Sequence, residues 1–221
     1  MDPAKLHGNA YYRYWNQRAT QQGEAYVGRH GMGEKEIHRQ GLAFWQHLLP
    51  LLPTPADIQA QSDPVVVEFG CGWGRMTWRL AQRYPTARVY GIDMVEFALR
   101  HGRKYYKEIT FIRDDHYPVH VPKASLIMTC TCLQHITDPT VFNTVARSFE
   151  DRTQPGAWLV MLENATKKKR ASHLHDMAPE DYVNAFAGFD FQDPVLLQDK
   201  AVDPEDMFLL RGQRRGTASV G

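Results

Sequence analysis

The sequence predicts an α/β domain, a mostly parallel sheet of seven strands flanked by helices, preceded by an N-terminal helical cap. Three observations predict it. Short apolar runs alternate with helix-period patterns from Val65 onward. Repeated βα units in that order close as a largely parallel sheet with helices on both faces. The first apolar run ends in Gly70-Cys71-Gly72-Trp73-Gly74, a turn whose glycines let a ligand approach the backbone.

The elements follow in order. Residues 1–35 are rich in Tyr, Gly, Arg and Gln, with Tyr11, Tyr12, Tyr14 and Trp15 close together. On a helix, positions 11 and 15 share a face. Residues 36–52 read as a helix, with Ile37, Phe44, Trp45, Leu48 and Leu52 near one side, stopped by Pro53-Thr54-Pro55. A polar connector runs from Ala56 to Pro64. Val65 to Phe69 is a buried-strand run. Met76, Leu80 and Tyr84 mark a helix that Pro85 ends, and Arg88 to Asp93 is a second strand. Phe97, Ala98 and Tyr105 mark the next helix. Strands follow at Ile109 to Arg113 and Ser125 to Thr131. Asp138-Pro139 caps a helix lined by Val141, Phe142, Val145 and Phe149. Gln154-Pro155-Gly156 turns into a fifth strand, Ala157 to Leu162. Pro179 opens a helix that Gly188 closes, and Val195 to Gln198 and Met207 to Arg211 complete the strands. The boundaries expected are a cap at 1–52, a core at 53–211 and a flexible tail at 212–221.

Composition narrows the function classes. A chain of 221 residues with 43% apolar content builds one substantial core. The longest apolar runs are too short to span a bilayer, and Met-Asp-Pro-Ala-Lys leads into no secretory signal. Three cysteines without a CxxC fit reduced thiols in a cytoplasm. Twenty-six basic against 25 acidic residues provide no field for holding a polyanion, which argues against nucleic acid as the partner.

The glycine turn selects among ligands. A dinucleotide-binding GxGxxG counted from Gly70 needs glycine where Arg75 stands. Glu68 beside the turn repels a pyrophosphate but suits a cofactor carrying an ammonium group and a positive sulfur. No Gly-Lys-Ser/Thr of a phosphate loop is present. Asp93 ends the second strand 21 residues after Gly72, the spacing of an acid that grips ribose hydroxyls. Asp114 or Asp115, after the third strand, is placed to accept from an adenine amino group.

Four segments carry a family resemblance. Val-Val-Glu-Phe-Gly-Cys-Gly-Trp-Gly-Arg, Tyr-Gly-Ile-Asp, Cys-Leu-Gln-His-Ile-Thr-Asp-Pro and Gln-Pro-Gly-Ala-Trp-Leu-Val-Met occur in order over residues 60–210. The chain resembles the class I S-adenosylmethionine-dependent methyltransferases of small-molecule type, whose fold is Rossmann-like. The resemblance implies S-adenosylmethionine as cofactor and no metal. It implies that Glu68 organises the loop and the methionine amino group, and that Gly70, Cys71 and Gly72 border the methionine half. Asp93 takes the ribose, Met94 packs on the adenine, Asp114 or Asp115 meets its amino group, and Thr131 belongs to the wall. Ala157, where the family usually has a second glycine, is a departure of little consequence, because the turn needs only Gly156.

Other residues carry paired readings. His135, just after the fourth strand, is either a base for the acceptor or a structural histidine bonded to backbone. Glu163, at the end of the fifth, either binds the acceptor or caps a neighbouring helix. His173 and His175 have no partner motif for a metal. Lys167-Lys168-Lys169-Arg170 is either a solvated loop or an anion site, and Lys167 is a candidate acceptor contact. Tyr14, Trp15, Arg29 and His30 are the acceptor contacts expected from a closing N-terminal cap. The function expected is methyl transfer to an oxygen or nitrogen of a small molecule. The alternatives are an RNA or peptide substrate, or an inactive cofactor-binding partner subunit.

Overall fold

The computed structural model of the chain describes residues 9–28, 32–114, 117–164, 177–197 and 206–216. Helix α1 (Asn9–Gln22) and a 3-10 turn (Gly23–Val27) precede α2 (Glu34–Leu48) and α3 (Pro55–Gln59). Then come β1 (Val65–Phe69), α4 (Arg75–Arg83), β2 (Arg88–Asp93), α5 (Glu96–Tyr105), β3 (Thr110–Arg113) and β4 (Ala124–Cys130). A 3-10 turn (Leu133–His135), α6 (Pro139–Asp151), β5 (Thr153–Asn164), α7 (Pro179–Ala185), β6 (Phe189–Phe191), β7 (Val195–Leu197) and β8 (Met207–Arg214) complete it.

The sheet order is β3-β2-β1-β4-β5-β8-β6, with β7 also paired to β8. β1 to β5 are parallel to their neighbours, whereas β8 is antiparallel to β5, β6 and β7. β6 pairs with Gly212–Arg214 and β7 with Met207–Leu209, so the two share one position on the outer side of β8. Eight strands therefore fill the seven positions expected. All five residues of β1 are buried, which is why this central strand is apolar throughout except for Glu68.

Alternation along the strands builds a core on each face. Val66, Leu126, Met128 and Val160 meet Phe44, Leu48 and Leu80 of α2 and α4 on one side. Val67, Ile127 and Leu159 meet Phe142, Phe149 and Tyr182 of α6 and α7 on the other. A third cluster is separate: Trp15 and Ala19, one helical turn apart on α1, pack with Tyr26, Trp73, Val95 and Ala98. No helix among the described residues is long and apolar enough to cross a membrane.

Three boundaries differ from expectation. The polar connector contains α3, because Thr54 and Asp57 form a capping box: the Asp57 N–H donates to Thr54 Oγ1 at 3.2 Å and the Thr54 N–H to Asp57 Oδ2 at 2.8 Å. β5 starts before the expected turn, since Ala124 pairs with Thr153 and Leu126 with Trp158. The residues between form a bulge, with Gly156 at φ +77°. β8 takes up Gly212, Gln213 and Arg214 from the expected tail, because β6 supplies their backbone partners.

Candidate active site

β1 pairs with β2 on one side and β4 on the other, so connections leave it in opposite directions. The carboxyl ends of β1 and β4 therefore open a crevice, where open α/β sheets bind their ligands.

The glycine loop forms one wall. Gly70 and Cys71 donate their N–H groups to the Ile92 carbonyl at 2.8 and 3.1 Å. The Gly72 N–H donates to Asp93 Oδ2 at 2.7 Å, and the Val95 N–H to Asp93 Oδ1 at 2.8 Å. Asp93 thus ties the end of β2 to the loop through Oδ2 and to the start of α5 through Oδ1, and burial raises its pKa against these hydrogen bonds. Gly70 (φ +74°) has no room for a side chain, because a Cβ there would lie 2.0 Å from Cys132 Sγ. At Gly72 (φ +56°) a Cβ would lie 2.8 Å from Val27 Cγ1 and 3.2 Å from the Tyr26 hydroxyl. Arg75, where a dinucleotide fold has glycine, packs against Gly41 and donates from Nη1 to the Ile37 carbonyl at 2.6 Å, joining α4 to α2.

Glu68 lies buried beneath the loop and accepts from the Thr77 hydroxyl. Burial pushes its pKa from 4.5 up to about 8, against the pull of the Thr77 hydrogen bond and Arg75. In the fold the carboxyl keeps its proton to about pH 8, whereas in the unfolded chain it ionises near 4.5. Its contribution to stability is therefore complete below about pH 4.5 and is lost as pH rises through 8. The Glu68→Gln variant should show a shallower fall in unfolding free energy over that window, measured by urea denaturation at stepped pH.

Tyr26 covers the loop from the N-terminal side. It is 5% exposed, and its hydroxyl has no hydrogen-bond partner among the described residues. Burial first, then the neighbouring Asp93, Cys71 and Glu68, hold the phenol neutral. The buried Nε1 of Trp73 likewise has no hydrogen-bond partner among the described residues. Sequence reading did not select Tyr26, and its position after Gly23 in a glycine-rich stretch was the available signal.

The opposite wall follows β4. Thr131 sits at φ +54°, a conformation L side chains rarely adopt, with its N–H donating to the Leu162 carbonyl at 2.8 Å. Next, the 3-10 turn is held by Glu163. Its Oε1 accepts from the Thr129 hydroxyl at 2.9 Å and from the N–H groups of Cys132 and Leu133 at 3.3 and 3.2 Å. Its Oε2 accepts from the Gln134 N–H at 3.2 Å. Glu163 is fully buried, and both its oxygens accept from this turn. Burial raises its pKa to about 7. Glu163→Ala leaves buried donors unmatched and should cost about 2–4 kcal/mol in chemical denaturation.

His135 ends this turn, half-buried, its ring edge-on to Trp15 with centroids 5.0 Å apart. Tyr14 packs edge-on to Trp15, with ring centroids 5.2 Å apart. Met94 packs with the Trp15 cluster, and the Asp114 N–H donates to the Asp93 carbonyl at 3.1 Å, placing Asp114 on the same rim. The structure thus brings Glu68, Gly70, Cys71, Gly72, Asp93, Met94, Asp114, Thr131, His135, Tyr14 and Trp15 to one end of the sheet. Asp115, Arg29, His30, Lys167 with its basic run, His173 and His175 lie outside the described residues. Burial raises the thiols of Cys71, Cys130 and Cys132, so none is an activated nucleophile. No cluster of three or more metal-ligating side chains occurs among the described residues.

These residues fit S-adenosylmethionine. A left-handed loop admits a ligand to its backbone, Glu68 and Asp93 place carboxyl groups at the ends of β1 and β2, and the Tyr26 hydroxyl and Trp73 Nε1 are buried polar atoms without a hydrogen-bond partner among the described residues. The sheet order, the crevice at β1 and β4 and this loop define a class I S-adenosylmethionine-dependent methyltransferase fold. Residues 66–156 match the family model of a methyltransferase domain. The chain is 24% identical over 172 residues to Trans-aconitate 2-methyltransferase of Yersinia pseudotuberculosis, a match covering 65% of the chain and 66% of that protein. The chain thus spans just under two thirds of that relative's length. Among solved structures, N-methyltransferase NodS from Bradyrhizobium japonicum WM9 in complex with S-adenosylhomocysteine superposes with TM-score 0.66 at 19% identity, covering 91% of this chain and 99% of that one. Magnesium protoporphyrin IX methyltransferase (ChlM) from Synechocystis PCC 6803, also with S-adenosylhomocysteine bound, gives TM-score 0.66 at 16% identity, covering 92% and 98%. The likeness to the two structures is one of fold, and with the methyltransferase-domain match it makes S-adenosylmethionine the cofactor.

Proposed function

We propose that the protein methylates a small molecule at oxygen or nitrogen, with His135 as the base and residues 9–28 as a cap over the crevice. The observation that carries this reading is His135, held half-buried against Trp15 in the 3-10 turn after β4 on the crevice rim. When bound, S-adenosylmethionine supplies a methyl group on a positive sulfur, so the chain's main task is alignment in a dry site. Asp93 accepts from ribose hydroxyls with the lone pairs left over from Gly72 and Val95. Glu68 anchors the amine end, and the neutral Tyr26 hydroxyl donates into the site. Trp15 and Tyr14 exclude water, and Glu163 acts as a positioning residue by fixing the turn that carries His135.

The cap supports a small acceptor over RNA or peptide. The arginines at the end of β8 support the same choice, because they lie at the opposite end of the sheet from the crevice. Three free cysteines fit the cytoplasmic location we assign. A carboxylate acceptor, as the name of the Yersinia relative indicates for that protein, needs no base, and Arg29, His30 and Lys167 are then its expected cationic contacts. The test is transfer of labelled methyl to panels of phenols, amines and carboxylic acids. For a phenol or amine, His135→Ala should lower turnover about a hundredfold while S-adenosylhomocysteine affinity stays unchanged. A rate loss that only tracks a lowered melting temperature assigns His135 to structure.

A further inference from the structure

The N-terminal cap holds a polar atom over the glycine loop. Tyr26 lies in the 3-10 turn Gly23–Val27, and the chain on either side of it is fixed. Arg18 of α1 donates from Nη2 to the Gly28 carbonyl at 2.6 Å and from Nε to Gln22 Oε1 at 3.2 Å. Gly28 runs so close to α2 that a Cβ there would stand 2.8 Å from Ile37 Cγ1. The Tyr26 ring packs with Trp15, Trp73 and Val95, and its hydroxyl stands 3.2 Å from where a Cβ on Gly72 would be.

That hydroxyl is a buried donor with no hydrogen-bond partner among the described residues, and a buried hydroxyl is costly unless it is bonded. The acids that face it are Asp93 and Glu68. Asp93 is taken up by the Gly72 and Val95 N–H groups, and Glu68 by the Thr77 hydroxyl. Burial keeps the phenol neutral, so it has a proton to donate. The ligand that fits must therefore bring an acceptor to the Gly72 side of the loop. Within S-adenosylmethionine the sulfonium and the ammonium accept nothing. The ribose hydroxyls are assigned to Asp93, and the adenine to Met94 and Asp114. The carboxylate is the strong acceptor that remains, and it belongs to the methionine half, which the glycine turn is assigned to border. Glu68 keeps its proton to about pH 8, so it sets no full negative charge against a carboxylate above the loop.

We propose that the Tyr26 hydroxyl donates to the carboxylate of S-adenosylmethionine, so that the cap recognises the amino-acid end of the cofactor. The inference rests on the reading above, in which this crevice holds the cofactor, and it adds the group that Tyr26 meets there. A hydrogen bond to an ionised acceptor is about twice as strong as one between neutral groups, and water is excluded where this one forms. Cap and cofactor then hold each other. A ligand without the carboxylate still meets Asp93 and the loop but forfeits its bond to the cap.

The test is calorimetry on the full chain with S-adenosylmethionine and with its decarboxylated analogue, which keeps the sulfonium, amine, ribose and adenine. The parent should bind S-adenosylmethionine about tenfold or more tightly than the analogue. Tyr26→Phe should weaken S-adenosylmethionine about tenfold and leave the analogue within about twofold. Without ligand the variant should melt at the parent's temperature or above it, because it removes a buried hydroxyl that no described residue satisfies. Equal affinity of the parent for the two ligands overturns the proposal, as does an equal effect of Tyr26→Phe on both. A lowered melting temperature without ligand assigns the hydroxyl to the fold and overturns it as well. Failure of the parent to bind either ligand tells instead against the cofactor reading of the crevice, an outcome distinct from any that concerns Tyr26 alone.

Discussion

Replacing Gly70 by alanine should abolish measurable binding of S-adenosylhomocysteine, a loss of more than a hundredfold. Two independent penalties act on one methyl group. The first is conformational: φ at Gly70 is +74°, where an L side chain costs about 1–2 kcal/mol. The second is steric, since the new Cβ would stand 2.0 Å from Cys132 Sγ and 2.4 Å from Cys132 Cβ. Neither neighbour is the far end of a flexible chain, so the start of the His135 turn must move. That movement breaks the Glu163 contacts to Cys132 and Leu133 and so disturbs both walls of the crevice. Calorimetry reads the binding loss, and a thermal melt reads the accompanying destabilisation. A second substitution, Cys132→Gly, removes the clash but not the φ penalty and should restore part of the affinity. An alanine variant that binds like the parent removes the loop from the cofactor site.

Deleting residues 1–28 should abolish methyl transfer while leaving a folded sheet with weakened cofactor binding. The expectation rests on how the buried side chains divide. Trp15, Ala19 and Tyr26 cluster with Trp73, Val95 and Ala98, apart from the clusters that fill the two faces of the sheet. Helix α2 must stay in the truncated chain, because Phe44 and Leu48 belong to a sheet-face cluster and Ile37 receives the Arg75 hydrogen bond. Each buried aromatic lost removes about 1.5–3 kcal/mol of docking energy. The core keeps its own contacts, but Trp73 and Val95 become exposed and the crevice opens to water. Circular dichroism and melting show whether the core folds, and single-turnover transfer shows whether it works. Loss of the cooperative melt makes this segment part of the core and ends the cap reading. Hydrogen exchange over residues 9–28 should slow when cofactor and acceptor are both present.

The fold was legible where side-chain period and punctuation agreed. Val65 to Phe69 announced a central strand, and Asp138-Pro139 marked the cap that the Thr140 N–H, 2.8 Å from Asp138, confirms. What sequence could not display was long-range pairing. β6 is three residues long and exists because β8 offers it a backbone edge. In the site, the loop and Asp93 were readable because spacing along the chain fixed them. Tyr26 was not, since its hydroxyl reaches Gly72 only through packing between segments far apart in sequence. Glu163 was readable as an acid at a strand end, but only the fold decided that it serves the turn beside it.

Asp93 has a consequence for recognition itself. Its two oxygens hold the Gly72 and Val95 N–H groups. The loop's shape is thus settled during folding, and little ordering entropy remains to oppose a ligand on arrival. A receptor set in advance rejects by misfit, so it should discriminate sharply between ribose and 2′-deoxyribose analogues, because a missing hydroxyl leaves a buried carboxylate oxygen one hydrogen bond short. Shape memory in the loop and selectivity for the sugar are, in this protein, properties of one side chain.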